Sequence, residues 1–191
     1  MNDHDRDARS IADLIDRRQV EDVLNLYCRA IDRCDEPLLD TLFHADAMID
    51  HPPLPDDAAG FCREVMRLVR STGPSLHSMT NVSIELAGAT AYTEAYFSAW
   101  HRVEAGDDSG VFNSRSDIDE YAVMGGRYIN WLSKRDGDWK ISHHSTIVEW
   151  ESWVPADERS HLVAIGRTKS RRDVRDPSYA RDRFPGGPGG A

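Results

Sequence analysis

The feature that most constrains this chain is one change in its hydrophobic period. Val20, Val23, Leu24, Tyr27, Ile31 and Cys34 recur at three- and four-residue steps, which predicts an amphipathic helix over Ile11 to Cys34. Asp35-Glu36-Pro37 breaks it, and Leu38 to Phe43 reads as a short second helix with Pro37 in its first turn. Ala47 to His51 is a short strand ended by the prolines at 52, 53 and 55. A third helix, Asp57 to Arg70, carries Phe61, Val65, Leu68 and Val69 and stops at Gly73-Pro74. From there the period falls to two. Strands are expected over Leu76 to Leu86, Thr90 to Val103, Asp117 to Lys134 and Trp139 to Trp153. Asp136-Gly137 makes a hairpin turn, and Gly125-Gly126 marks a bulge or sharp bend in mid-strand.

Helices followed by long strands imply an α+β fold, and strands of this length must twist and curl. The expected architecture is therefore a cone-shaped α+β barrel. A curved mixed or antiparallel sheet carries three helices over its concave face and encloses a pocket. One domain is expected over residues 1–155. Residues 156–191 form a basic extension, of which Glu158 to Ala191 carries about +4 in a chain whose net charge is −10, and its Pro/Gly-rich end is expected to be disordered.

That negative charge argues against nucleic acid as a partner. No apolar run approaches the roughly 20 residues of a membrane span, and no apolar leader follows Met1. Cys28, Cys34 and Cys62 form no paired framework and have no zinc spacing, consistent with a reducing, cytoplasmic location. No Gly-rich phosphate loop, nucleophile elbow or dinucleotide fingerprint occurs, so no cofactor and no metal are expected.

Chemistry has to come from a few polar residues in apolar rows. In the strand from Thr90, Ala91, Thr93, Ala95, Phe97, Ala99 and His101 share one face, which is expected to point inward. In the next strand Tyr121, Val123, Gly125, Arg127, Ile129 and Trp131 share a face, which would bring Arg127 into the pocket. Ile141, His143, Ser145 and Ile147 share a face in the last strand, opposite His144. Asp32 sits near the end of the first helix, where the dipole disfavours a carboxylate, and that mismatch marks it for a special role. His77 stands at a strand start, and Tyr27 on the helix stripe needs a partner for its hydroxyl.

These residues occur in an ordered set of short motifs. They are Tyr27-Cys-Arg-Ala-Ile-Asp32, Leu42-Phe43-His-Ala-Asp46-Ala47, Ser75-Leu-His77-Ser-Met-Thr-Asn81, and Gly126-Arg127-Tyr128 followed by Asp138-Trp139-Lys-Ile141. The set resembles the SnoaL-like polyketide-cyclase families of the nuclear-transport-factor-like superfamily over about Ile11 to Trp153. Within it the chain looks like the dehydratase and dehydrohalogenase branch: scytalone dehydratase, bile-acid dehydratase and lindane dehydrochlorinase. The resemblance implies a His77–Asp32 pair, with Tyr27, His101 and Arg127 as further catalytic groups. Phe43, Phe97, Tyr121, Val123 and His143 are expected to contact the substrate.

A neutral imidazole is a base of suitable strength near neutral pH. A carboxylate on its other nitrogen fixes the tautomer and stabilises the imidazolium. The expected activity is a cofactor-independent elimination or isomerisation of an apolar cyclic molecule such as a polyketide, steroid or aromatic intermediate. The alternative is a non-catalytic binding or assembly module, like the small subunit of ring-hydroxylating dioxygenases. A zinc site from His77, His101 and His143 is a minor possibility. An aromatic outer face at Tyr92, Tyr96 and Trp100 predicts a homo-oligomer, trimer or dimer.

Overall fold

A computed structural model describes residues 3–107, 110–112, 114–115, 117–156 and 168–180, with side chains from residue 11 onward. Helix α1 runs over Asp3–Arg33, longer than its apolar stripe requires, and buries Val20, Val23, Leu24, Tyr27 and Ile31. It ends where Cys34 adopts a left-handed φ of 52°. Helix α2, Glu36–Thr41, is capped by Asp35, whose carboxylate accepts from the Leu38 N–H. Strand β1 is Phe43–Asp50. Asp57 caps α3, Ala58–Ser71, by accepting from the Gly60 N–H, and the helix buries Phe61, Cys62, Val65, Met66, Leu68 and Val69.

The four long strands are β2 (Ser75–Ala87), β3 (Thr90–Val103), β4 (Glu120–Arg135) and β5 (Asp138–Pro155). The sheet order is β1-β5-β4-β3-β2. Only the β1–β5 pairing is parallel, so the sheet is mixed. It does not close on itself; its edges are β1 and β2, and the helices packed on the concave face complete the cone. Asp136 (φ 54°) and Gly137 (φ 94°) form the two-residue β4–β5 turn, both in the left-handed region that such a turn needs. Among the described residues no helix is long and apolar enough to cross a membrane. Residues 168–180 fold back onto α1 and α3. The Pro/Gly-rich end expected to be disordered lies outside the described residues.

Three bulges decide which side chains point inward. In β2 the register shifts between Thr80 and Ser83, where Asn81 takes φ 50°. Ser75, His77 and Met79 therefore face in before the shift, and Val82, Ile84 and Leu86 after it, while Leu76 is exposed. The second lies opposite Gly125-Gly126, where β5 carries an extra residue between Val148 and Trp150. The third lies in β5 between Ile141 and His143.

The inward row of β3 is as expected, with Ala91, Thr93, Ala95, Phe97, Ala99 and His101 all buried. The row expected for β4 is the wrong one. Phe97 pairs with Gly126, Ala95 with Tyr128 and Thr93 with Asn130, so these β4 residues share the inner face with Ala122 and Leu132. Tyr121, Val123, Arg127, Ile129 and Trp131 lie on the convex face. Apolar character misleads here because both faces of the strand carry it. The register with β3 is what selects the side.

At Gly126 the β5 backbone comes so close that a Cβ would collide with the Ile147 carbonyl oxygen and press on the Phe97 ring. Gly126→Ala is expected to destabilise the protein by about 3 kcal/mol in urea unfolding, because neither neighbour can retreat. A change below about 0.5 kcal/mol would show the bulge to be pliable.

Candidate active site

The cone encloses a cavity of about 330 Å³. Its walls are apolar: Ile31 from α1, Val65, Leu68 and Val69 from α3, and Phe97, Met124 and Tyr128 from the sheet. Pro52, Pro53 and Leu54 border it on one side, Phe112 and Trp153 on another. Glu151, exposed and accepting from Trp153 Nε1 at 3.0 Å, also lines it, and buried polar groups reach it at two places.

The first is built on the last turn of α1. Asp32 is buried at 5 % exposure, and three donors from β2 meet its carboxylate. His77 Nδ1 is 2.8 Å from Oδ1, the His77 backbone N–H donates to Oδ2 at 2.9 Å, and Ser75 Oγ donates to Oδ1 at 2.9 Å. Burial pushes the Asp32 pKa up, but the hydrogen bonds and charge of His77, together with Ser75, outweigh it and hold the carboxyl below its ordinary value. An ionised carboxylate only accepts, so His77 Nδ1 carries a proton, and in the neutral form of the ring Nε2 is the acceptor left beside the cavity. His101 stands beside it, with ring centroids 5.0 Å apart and rings nearly perpendicular. Burial, and then the neighbouring His77, lower the His101 pKa to about 3, so this ring is neutral.

The second polar place is a chain of side chains from β3, β4 and β5, joined by Tyr27 of α1 and by His51 just after β1. Asn130 Nδ2 donates to Thr93 Oγ1 at 3.3 Å, and its Oδ1 accepts from His144 Nδ1 at 2.7 Å. His144 is fully buried, and burial lowers its pKa to about 3. Its Nε2 is therefore a bare acceptor, approached by Thr146 Oγ1 at 3.1 Å and the Tyr27 hydroxyl at 3.4 Å. With the closer Thr146 donating, Thr146 Oγ1 accepts from His51 Nδ1 at 3.0 Å. Tyr27, whose hydroxyl makes the longer approach to His144, and His51 both line the cavity. Burial lowers the His51 pKa to about 4 and raises that of Tyr27 above its ordinary value. Tyr27 is thus a neutral donor at any ordinary pH.

The sequence singled out Asp32, His77, His101, Tyr27 and Phe97, and the structure brings these together around the cavity or directly behind it. Phe97 stacks on Tyr128 at 4.3 Å. Phe43 is buried one layer back, edge-on to Tyr27 and Phe61, where it supports the wall. Four expected residues are elsewhere. Arg127 lies on the convex face, with Nε and Nη2 on Glu149 at 2.9 and 2.8 Å and Nη1 3.6 Å from Glu94. Tyr121 packs edge-on against Trp100, Val123 shares that face, and His143 sits against the Trp131 ring. The bulge after Ile141 turns His143 outward and His144 inward. His77, His101 and His143 therefore do not converge. Among the described residues no group of three or more His, Cys, Asp or Glu is arranged to hold a metal.

Sequence reading missed His51, Asn130, His144 and Thr146. Asn130 and His144 would have been legible only with the register in hand, and His51, expected to close the first strand, lies one residue beyond its observed end at Asp50.

Three neutral histidines make stability depend on pH. In the folded state His51, His101 and His144 bind protons only near pH 3–4, whereas unfolded they do so near 6.5. Below about pH 6.5 the unfolded state takes up more protons, so stability falls as pH drops from there toward the folded values. The depressed pKa of Asp32 has a different window: its contribution is present above the ordinary carboxylate range and fades only below about pH 4. Urea unfolding is expected to show a loss of roughly 3–4 kcal/mol between pH 7.5 and 5.5. A flat response over that range rules out neutral burial of the three rings.

The fold and site can be set beside known proteins. A family model described as a SnoaL-like domain matches residues 12–145. No curated protein matches the chain significantly. Among solved structures, hexachlorocyclohexane dehydrochlorinase LinA-type3 from Novosphingobium barchaimii LL02 superposes with TM-score 0.64 at 15% identity, over 76% of this chain and 94% of that one. A candidate scytalone dehydratase from Novosphingobium aromaticivorans gives 0.62 at 16% identity, over 75% and 90%. A candidate dehydratase of the NTF2-like family from Streptomyces avermitilis gives 0.53 at 18%, over 69% and 95%. At such identities the likeness is one of fold. The family model covers well over half of the chain, including Tyr27, Asp32, His77 and His101, and the protein belongs to the SnoaL-like domain family.

Proposed function

We propose that this protein is a lyase that eliminates a small leaving group from an uncharged, apolar cyclic molecule, with His77 and Asp32 as its acid/base pair. The observation that carries the reading is the buried Asp32–His77 contact, closed by three hydrogen bonds and facing an apolar cavity. The fold shared with dehydratases and dehydrochlorinases agrees with it.

In a dehydration, His77 Nε2 takes a proton from the carbon next to a carbonyl. The C–H electron pair becomes the new C=C bond, and the C–O bond to the departing hydroxyl breaks. The imidazolium, stabilised by Asp32, returns the proton to that hydroxyl, so that water leaves and the pair is reset. Tyr27 O–H donates to the carbonyl oxygen as negative charge grows on it, a role that a dry, apolar wall strengthens. His101, kept neutral, orients the leaving group. Among the described residues no Lys or Arg lines the cavity, and Arg127 is committed to Glu149 outside it, so an anionic substrate would find no counter-ion among them. The substrate class is therefore neutral. His77→Ala and Asp32→Asn are each expected to lose at least about a hundredfold in turnover on a panel of neutral cyclic β-hydroxy ketones, with circular dichroism unchanged. Tyr27→Phe should lower kcat with little change in KM. Full turnover by folded His77→Ala removes the mechanism. Tight binding of panel members by the unmodified chain without turnover would identify a binding module instead.

We also propose self-association through the convex face, where Tyr96, Trp131 and Trp150 are each about half exposed. Trp131→Glu is expected to shift the sedimentation mass of the unmodified protein toward the monomer. An unmodified chain that already sediments as a monomer overturns this.

A further inference from the structure

The family match ends at residue 145, yet a later segment returns to the rear of the Asp32–His77 pair. Arg172 enters between the C-terminal ends of α1 and α3. A guanidinium offers five N–H donors in one plane and no acceptor. Here Nη1 donates to the carbonyls of Val69, Thr72 and Gly73, Nε approaches the Asp32 carbonyl at 3.4 Å, and Nη2 approaches Ser75 Oγ at 3.5 Å. Val69 and Thr72 end α3, and Asp32 lies in the last turn of α1. These carbonyls are the ones a helix cannot satisfy internally, and they form its negative end. One cation thus serves two helix ends together with the hydroxyl that donates to Asp32 Oδ1.

The segment is fastened to α1 at further points. Asp176 is buried and accepts from the Arg171 N–H at 2.8 Å and the Ser178 N–H at 3.0 Å, with Arg33 Nε at 3.8 Å. The Tyr179 hydroxyl donates to Asp35 at 2.7 Å, and Arg29 lies over the Tyr179 ring at 4.8 Å.

We propose that Arg172 is a positioning residue for the Asp32–His77 pair, which makes the C-terminal segment a working part of the site. It holds the Asp32 carbonyl and the Ser75 hydroxyl from behind, so that the carboxylate presents one geometry to the imidazole. Lysine cannot replace it, because an ammonium delivers three donors from a single point and cannot span this ring of acceptors. The inference rests on reading Asp32 and His77 as the working pair, but its test reads the bond between them and needs no substrate.

The test is solvent exchange of the His77 Nδ1 proton, followed by NMR on full-length protein with labelled histidine. In Arg172→Gln that proton is expected to exchange at least about tenfold faster while the circular dichroism spectrum is unchanged. Arg172→Lys should exchange as fast as Arg172→Gln, and guanidinium ion added to Arg172→Gly should slow exchange again. Asp176→Asn loosens the segment without touching the acceptors of Arg172, and should give a smaller acceleration. Exchange as slow as in the unmodified chain, in folded Arg172→Gln, overturns the proposal. If that variant does not fold, unchanged exchange in Asp176→Asn overturns it instead. Retained turnover in His77→Ala sinks the catalytic reading alone and leaves these exchange rates unaffected.

Discussion

A carboxylate withdrawn from water has to be met by donors, and much of this structure follows from meeting one. Asp32 sits at the C-terminal end of α1, where the helix field repels it, and it is almost fully buried. Three donors from the start of β2 answer that cost, so α1 and β2 are fixed to one another at the very place where the sheet begins. The same contact assigns the proton on His77 and turns its free nitrogen to the cavity. The atoms that join α1 to β2 are thus the same ones that present an imidazole nitrogen beside the cavity.

The remaining polar interior is arranged so that no second charge is needed. His101, His51 and His144 are buried as neutral rings, and His144 is tied into a chain ending on Asn130 and Thr93. The sides of the cavity are apolar and its cations lie outside, Arg127 on the convex face and Arg172 behind the pair. The carboxylates at hand are Asp32, already met by its own donors, and the exposed Glu151, which accepts from Trp153. The result is one buried carboxylate and one adjacent imidazole in surroundings of low polarity, the setting in which a proton transfer is most sensitive to geometry.

Geometry is in turn set by irregularities in the strands. The bulge opposite Gly125-Gly126 lets β5 approach β4 and bend, and the one after Ile141 exchanges His143 for His144 on the inner face. Asn81 performs the corresponding shift in β2, after His77 has been delivered inward. A regular β5 would have turned His143 inward, whereas Arg127 is set outward by the unbroken β3–β4 register that pairs it with Tyr96. The observed rows leave them on the outside with Glu149 and Trp131.

Local signals in the sequence were enough for the order of elements, the Asp136-Gly137 turn, the inward row of β3 and the choice of Asp32, His77, His101 and Tyr27 as candidates. Each is written in a local signal: a stripe at helical spacing, Asp-Gly at a turn, an alternating row, or short motifs in a shared order. Tertiary structure alone decided the facing of β4 and β5, the His51–Thr146–His144–Asn130 chain, and the return of Arg172 to the back of the pair. Side-chain direction in a strand reverses with a one-residue slip, and the slip is fixed by pairing with neighbours far along the chain. Arg172 looks like any other basic residue in a charged tail until two helix ends are found waiting for it.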